Sequence, residues 1–122
     1  MYAKGRPLFA QNGIACRDAT PAMFRETRRI KKLLNSINPR LLDYGSGFGR
    51  WARAAVQAGF QVTAFEPSEE RGIENHEIDF TLLHDVDDLK NQYFEIINLE
   101  QVLEHVPNPV VLLKELRRYC TV

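Results

Sequence analysis

At 122 residues the chain is one domain's worth of sequence, with 44% hydrophobic and 26% charged residues; this is ordinary globular usage and argues against a disordered chain or a fibrous repeat. No apolar run approaches the ~20 residues that cross a bilayer, and the start, Met1 to Pro7, is not a signal peptide, so no membrane role is expected. Two cysteines, Cys16 and Cys120, without CxxC spacing exclude a disulfide scaffold and a Cys-rich zinc module, and a reduced, cytoplasmic setting is expected. The zero net charge is split: residues 1–60 hold eleven Lys/Arg against three Asp/Glu, and residues 61–122 hold five against thirteen. A nucleic-acid binder needs a domain-wide basic excess, so no nucleic-acid partner is expected at pI ≈ 6.8.

Residues 1–19 show no periodicity and read as an irregular lead-in, leaving 20–122 as the domain. Thr20-Pro21 is an N-cap followed by proline in the first turn, and Met23, Thr27, Ile30, Leu33, Leu34 and Ile37 then follow helical spacing up to Asn38-Pro39. The basic arc of that helix (Arg25, Arg28, Arg29, Lys31, Lys32) reads as a solvated face. Leu41–Tyr44 is a short buried strand, followed at once by Gly45-Ser46-Gly47-Phe48-Gly49 and a helix from Arg50 to Ala58 closed by Gly59. Gln61–Phe65 is a second strand ending in Glu66-Pro67; Ser68-Glu69-Glu70 starts a short helix that Gly72 weakens. Phe80–Leu83 is a third strand, Asp85–Asp88 a polar loop, Phe94–Leu99 a fourth strand, and Asn108-Pro109 opens a last helix with Leu112, Leu113 and Leu116 inward. Strands alternating with helices imply an α/β three-layer sandwich around a mostly parallel sheet.

The chemistry is carried by residues 41–66, a strand, glycine loop, helix, strand and acid in that order. Glycines let the backbone approach a ligand that side chains would block. The free N–H groups and positive dipole end of the following helix favour a polar or anionic group. Glu66 lies 21 residues after Gly45 at a strand tip, where an acceptor-only carboxylate can take both ribose hydroxyl protons. Together these define a nucleoside-binding crevice. A dinucleotide fingerprint requires a third glycine at position 50, where this chain has Arg50, with Gly49 one place early. Asp43, just before the loop, is awkward beside a pyrophosphate but suits a ligand carrying an ammonium and a sulfonium. The balance tips from NAD to S-adenosylmethionine.

The run Leu41-Leu42-Asp43-Tyr44-Gly45-Ser46-Gly47-Phe48-Gly49 resembles motif I of the class I S-adenosylmethionine-dependent methyltransferases, which have a Rossmann-like fold. Glu66 resembles their ribose-binding acid, and Asp85-Val86 the pair that contacts adenine. Phe94 to Pro109, with its Leu-Glu-His-Val run at 103–106 preceded by Glu100-Gln101-Val102, is similar to the segment after strand four in the small-molecule branch. The likeness spans residues 24 to 120. It implies S-adenosylmethionine as cofactor, bound by Asp43, Gly45, Ser46, Gly47, Gly49, Glu66, Asp85 and Val86; Glu100 and Gln101, just past the strand-four tip where carboxyl-end residues of open α/β sheets meet ligand, are expected to touch the cofactor or its methyl. It also implies a small-molecule methyl acceptor and a strand order of 3-2-1-4-5-7-6.

Three departures stand out. Glu95 replaces the usual Asp, Arg50-Trp51 is bulkier than usual and places Trp51 over the loop or the lead-in, and the chain stops after strand four and its helix. A catalyst needs the substrate wall supplied by the later strands, so a non-catalytic cofactor-binding or assembly module is the alternative reading. His105 suits a general base or substrate-orienting group, or equally a helix-end residue satisfied by backbone. His76 and His84 lack partners at metal-ligand spacing, so no metal is expected. With strand five missing, Phe94–Leu99 is an apolar edge whose single charge is Glu95. Bare edges recruit another chain, so a homodimer through that edge is expected, with a fold-back of residues 1–19 as the rival cover.

Overall fold

A computed structural model describes residues 19–69 and 79–120. The lead-in, Cys16, His76, Gly72 and the helix expected to grow from Ser68-Glu69-Glu70 lie wholly or largely outside these residues. Four parallel strands, β1 (Arg40–Tyr44), β2 (Gln61–Phe65), β3 (Thr81–Leu83) and β4 (Ile96–Asn98), form one sheet in the order β3-β2-β1-β4. Helices α1 (Pro21–Leu33), α2 (Arg50–Ala58) and α3 (Pro109–Leu116) complete the α/β, Rossmann-like arrangement. The expected fold class holds, and the four strands follow the 3-2-1-4 part of the expected order.

Local chemistry explains the helix ends. Thr20 caps α1 by accepting the Met23 N–H at 3.2 Å, with Pro21 in the first turn, and Asn108 does the same for Val111 N–H ahead of Pro109 in α3. Gly59 ends α2 in the left-handed conformation, φ +107°, which an L side chain adopts only with strain.

The pleat sorts side chains between two apolar layers. Leu41, Val62, Ala64 and Ile96 meet Trp51, Ala52, Ala55 and Phe60, over which lie Met23 and Ile30 of α1 and Leu34 just beyond its end. On the opposite face Leu42, Phe65, Leu89 and Phe94 pack with Tyr44, Leu83, Ile97 and Tyr119. Buried Thr27 joins α1 to its neighbour: its hydroxyl donates to Met23 O at 2.9 Å and lies 3.4 Å from Ala54 O on α2.

Several sequence expectations are corrected. Helix α1 stops at Leu33 rather than running to Asn38, because beyond it the chain must turn back into β1; Leu33 and Ile37 are 80% and 97% exposed. Leu113 is 45% exposed, and Leu116 is the buried residue of α3. The polar loop after β3 is a 3-10 turn, Val86–Leu89, because Asp85 caps it by accepting Asp87 N–H at 2.9 Å and Leu89 is fully buried beneath it. The far side of β4 is not wholly bare: Phe94 N–H donates to Tyr119 O at 2.6 Å, and Phe94 and Cys120 form an isolated parallel bridge. Trp51 is 3% exposed and packs into the core beneath α1, its indole N–H donating to Glu26 Oε1 at 2.6 Å.

Candidate functional site

Strand β1 is central, and its register sets Asp43 beside Ala64 on β2 and Asn98 on β4. The loop that follows folds over the tip of β2, where Gly45 N–H and Ser46 N–H both donate to Phe65 O, at 2.7 and 3.0 Å. Gly45 has φ +83°, and a Cβ built there would lie 2.7 Å from Val102 Cγ2, so this turn demands glycine on two counts. The loop closes with Gly49 N–H donating to Ser46 O at 2.9 Å, and Gly49 leads into α2.

Glu66, 7% exposed at the end of β2, holds the loop from the other side. Gly47 N–H donates to its Oε1 at 2.8 Å and Ser68 N–H to its Oε2 at 3.0 Å. An ionised carboxylate accepts through two lone pairs on each oxygen, so one side chain can serve several donors. His84 Nδ1 lies 2.7 Å from Glu66 O, and Glu66 N–H donates to Leu83 O at 2.9 Å, so the tips of β2 and β3 are tied together. Asp85 and Val86 stand exposed on this same side, the Asp85 carboxylate already engaged as a cap.

At the carboxyl ends of β1 and β4 a cavity of about 350 Å³ is lined by Met23, Asp43, Gly45, Ser46, Gly47, Phe48, Arg50, Trp51, Glu100 and Gln101. Two polar atoms buried in its wall, Asp43 Oδ2 and Ser46 Oγ, have no hydrogen-bond partner among the described residues. Asp43 is 2% exposed, and its other oxygen accepts from Asn98 Nδ2 at 3.0 Å. Burial pushes the Asp43 carboxyl up to about 6; the Asn98 hydrogen bond opposes this, and Glu100 and Glu66 add to it. Partial burial, then Glu26, raise the Glu100 carboxyl above its ordinary value, while Arg50 pulls it down. Gln101 stands at φ +55°, uncommon for a side-chain-bearing residue and typical of positions held for a site.

The structure thus brings Asp43, Gly45, Ser46, Gly47, Glu100 and Gln101 to one cavity, with Glu66 and Gly49 bracing its loop. His105 sits on an exposed 3-10 turn, Leu103–His105, outside the cavity lining. Among the described residues no cluster of His, Cys, Asp and Glu has metal-holding geometry, and no helix is long and apolar enough to cross a membrane. Sequence reasoning missed Met23, Phe48, Arg50 and Trp51 as lining residues and Asn98 as the partner of Asp43. The signal for Asn98 was its place in β4, level with Asp43 once β4 is set beside β1.

A parallel sheet with a glycine loop at its first strand, an acid at its second and a cavity at the β1–β4 crossover defines an α/β nucleoside-binding domain. The chain belongs to the methyltransferase domain family, whose model matches residues 15–121. Among solved structures it is similar to the plantazolicin methyltransferase BpumL in complex with a monoazolic desmethylPZN analog and SAH (TM-score 0.65, 16% identity, 82% of this chain and 42% of that one). It is also similar to BpumL in complex with SAH (TM-score 0.61, 19% identity, 81% and 41%). The chain therefore spans less than half the length of these structures. No curated protein matches it.

Proposed function

We propose that this chain provides the S-adenosylmethionine site of a methyltransferase acting on a small molecule. The observation that carries this reading is the pair of buried, unpartnered atoms, Asp43 Oδ2 and Ser46 Oγ, in the wall of a cavity whose floor is a glycine turn too tight for a side chain. Buried polar groups without partners are rare in folded proteins, and a ligand that supplies the missing donors accounts for both. When bound, S-adenosylmethionine supplies a methyl group on a positively charged sulfur. Asp43 and Ser46 hold its amino-acid end, Glu66 its ribose, and Asp85 and Val86 its adenine, while Glu100 and Gln101 line the approach to the methyl. Methyl transfer needs proximity and an in-line approach more than a base, so the reading does not rest on His105.

Calorimetry is expected to show S-adenosylmethionine or S-adenosylhomocysteine binding more tightly than NAD. Glu66→Ala removes a ribose acceptor together with the strut that holds Gly47, and is expected to weaken binding by ~1–3 kcal/mol. Equal or tighter NAD binding, or an indifferent Glu66→Ala, would sink the assignment.

A second reading, cofactor binding without turnover, is favoured by one observation: His105, the candidate base, lies outside the cavity lining. In that reading, transfer of labelled methyl by these 122 residues is expected to be weak or absent. Robust turnover by a demonstrated monomer overturns that expectation.

The partner in this reading is a second copy, and the setting is the cytoplasm. Beyond the Phe94–Cys120 bridge, the outer side of Ile96–Asn98 carries no other pairing among the described residues, and Val110, Val111 and Leu113 of α3 are 58%, 50% and 45% exposed. Light scattering is expected to give a dimer. A monomer at tens of micromolar, with residues 94–99 protected from hydrogen exchange, refutes it and assigns the edge to a segment of the same chain.

A further inference from the structure

Resting on the methyl-donor reading above, we propose that Asn98 is a positioning residue for cofactor binding. It holds one oxygen of Asp43 so that the other faces the cavity, charged, for the α-ammonium of the occupant. Asn98 Nδ2 donates to Asp43 Oδ1 at 3.0 Å. The two residues are level with one another because β4 lies parallel beside β1 in that register. Asn98 is half-buried and stands outside the cavity lining, so it acts on an occupant through Asp43. Asp43 is 2% exposed, and its Oδ2 lies in the cavity wall without a partner among the described residues.

The torsion that turns a carboxylate is soft, with no sharp staggered wells to fix it. Anchoring one oxygen therefore sets where the other points. The Asn98 amide nitrogen can only donate, and a hydrogen bond to the charged form of an acid favours that form. This matters because the other neighbours act against the charge. Burial pushes the Asp43 carboxyl up to about 6, the Asn98 bond opposes it, and Glu100 and Glu66 add to burial. From the helices, Arg50 at the start of α2 lines the same cavity, and Glu26 of α1 and Arg50 act on Glu100 with opposite signs. Without the amide, more of Asp43 keeps its proton near neutral pH, and a neutral carboxyl holds an ammonium far less well than a carboxylate does.

The test is calorimetry of the full chain with S-adenosylhomocysteine from pH 5 to pH 8. Native affinity is expected to change by less than about twofold between pH 7 and 8, and to fall roughly fivefold from pH 6 to 5 as Asp43 takes up its proton. Asn98→Val, strand-favouring but without a donor, is expected to bind roughly tenfold more weakly at pH 7 and to recover by roughly threefold or more at pH 8. Asn98→Ala removes the donor without adding a branched side chain; the same recovery is expected there, and it decides the matter should Asn98→Val not fold. A loss equal at pH 7 and 8 is what a merely structural role produces, and it overturns the inference, as does an unchanged affinity. Either result leaves the methyl-donor reading standing. A native chain that binds neither S-adenosylmethionine nor S-adenosylhomocysteine across this range overturns that reading and this inference with it.

Discussion

A Gly45→Ala chain is expected to unfold roughly 10 °C below the native protein and to lose cofactor binding. Two separate costs combine. The backbone at Gly45 has φ +83°, a conformation that charges an L residue ~1–2 kcal/mol. The added methyl would then sit 2.7 Å from Val102 Cγ2, and overpacking of that kind costs ~1–3 kcal/mol. Val102 is β-branched and stiff about its first side-chain torsion, so it has little freedom to yield. Relief is possible only by moving the backbone, and that backbone carries the N–H groups that Phe65 O accepts. The double variant Gly45→Ala/Val102→Ala separates the two costs, because it removes the collision and keeps the strained φ. It should recover about half the loss in thermal unfolding. Native-like unfolding of Gly45→Ala by itself would show the turn to be far more pliable than its geometry requires.

The opposite sign is expected at Asp43. Its carboxyl titrates near 6 in the folded chain against 3.8 unperturbed, because burial disfavours the charge. Below pH 3.8 both states hold the proton and no penalty exists. Between 3.8 and about 6 the unfolded chain releases a proton that the folded chain keeps, so stability falls as pH rises. Above about 6 the whole deficit is present. Asparagine has nearly the same shape, carries no charge, and retains an oxygen to accept from Asn98. Asp43→Asn is therefore expected to be about 1–3 kcal/mol more stable than the native chain at pH 7.5, the gain vanishing near pH 4. Urea unfolding at the two pH values measures it. A variant less stable at both would mean that the orphaned oxygen has a partner in solution. A residue that weakens the fold at working pH is what a binding site, rather than a core, selects.

The stretch from Thr20 to Phe65 was the most legible because its determinants are local. A capping threonine before proline, glycines at a strand end and a glycine after a short helix each act within a few residues, and the ends of α2 and β2 fall where the sequence places them. The site residues of the glycine loop were legible for the same reason. What escaped depends on residues far apart in sequence. The Asn98–Asp43 hydrogen bond spans 55 positions and exists only once β4 is laid beside β1. The Trp51–Glu26 bond spans 25 and depends on how α1 crosses α2. Helical periodicity put Leu33 and Ile37 on an apolar face, but the turn into β1 takes both out to solvent, a geometric constraint that periodicity does not contain. The pairing of Phe94 with Cys120 was invisible because an isolated bridge has no strand-length pattern to announce it.

The sole tryptophan of the chain, Trp51, lies against the cavity at 3% exposure with its ring N–H bonded to a carboxylate on another helix. Its emission is consequently that of a single chromophore, uncluttered by others of its kind, whose colour and yield depend on how tightly α1 and α2 are clasped at that point. Anything that enters the cavity or shifts either helix alters the surroundings of the indole directly. The molecule thereby carries its own optical reporter, and both occupancy of the crevice and loosening of the helix pair can be followed by unlabelled fluorescence at concentrations too low for calorimetry.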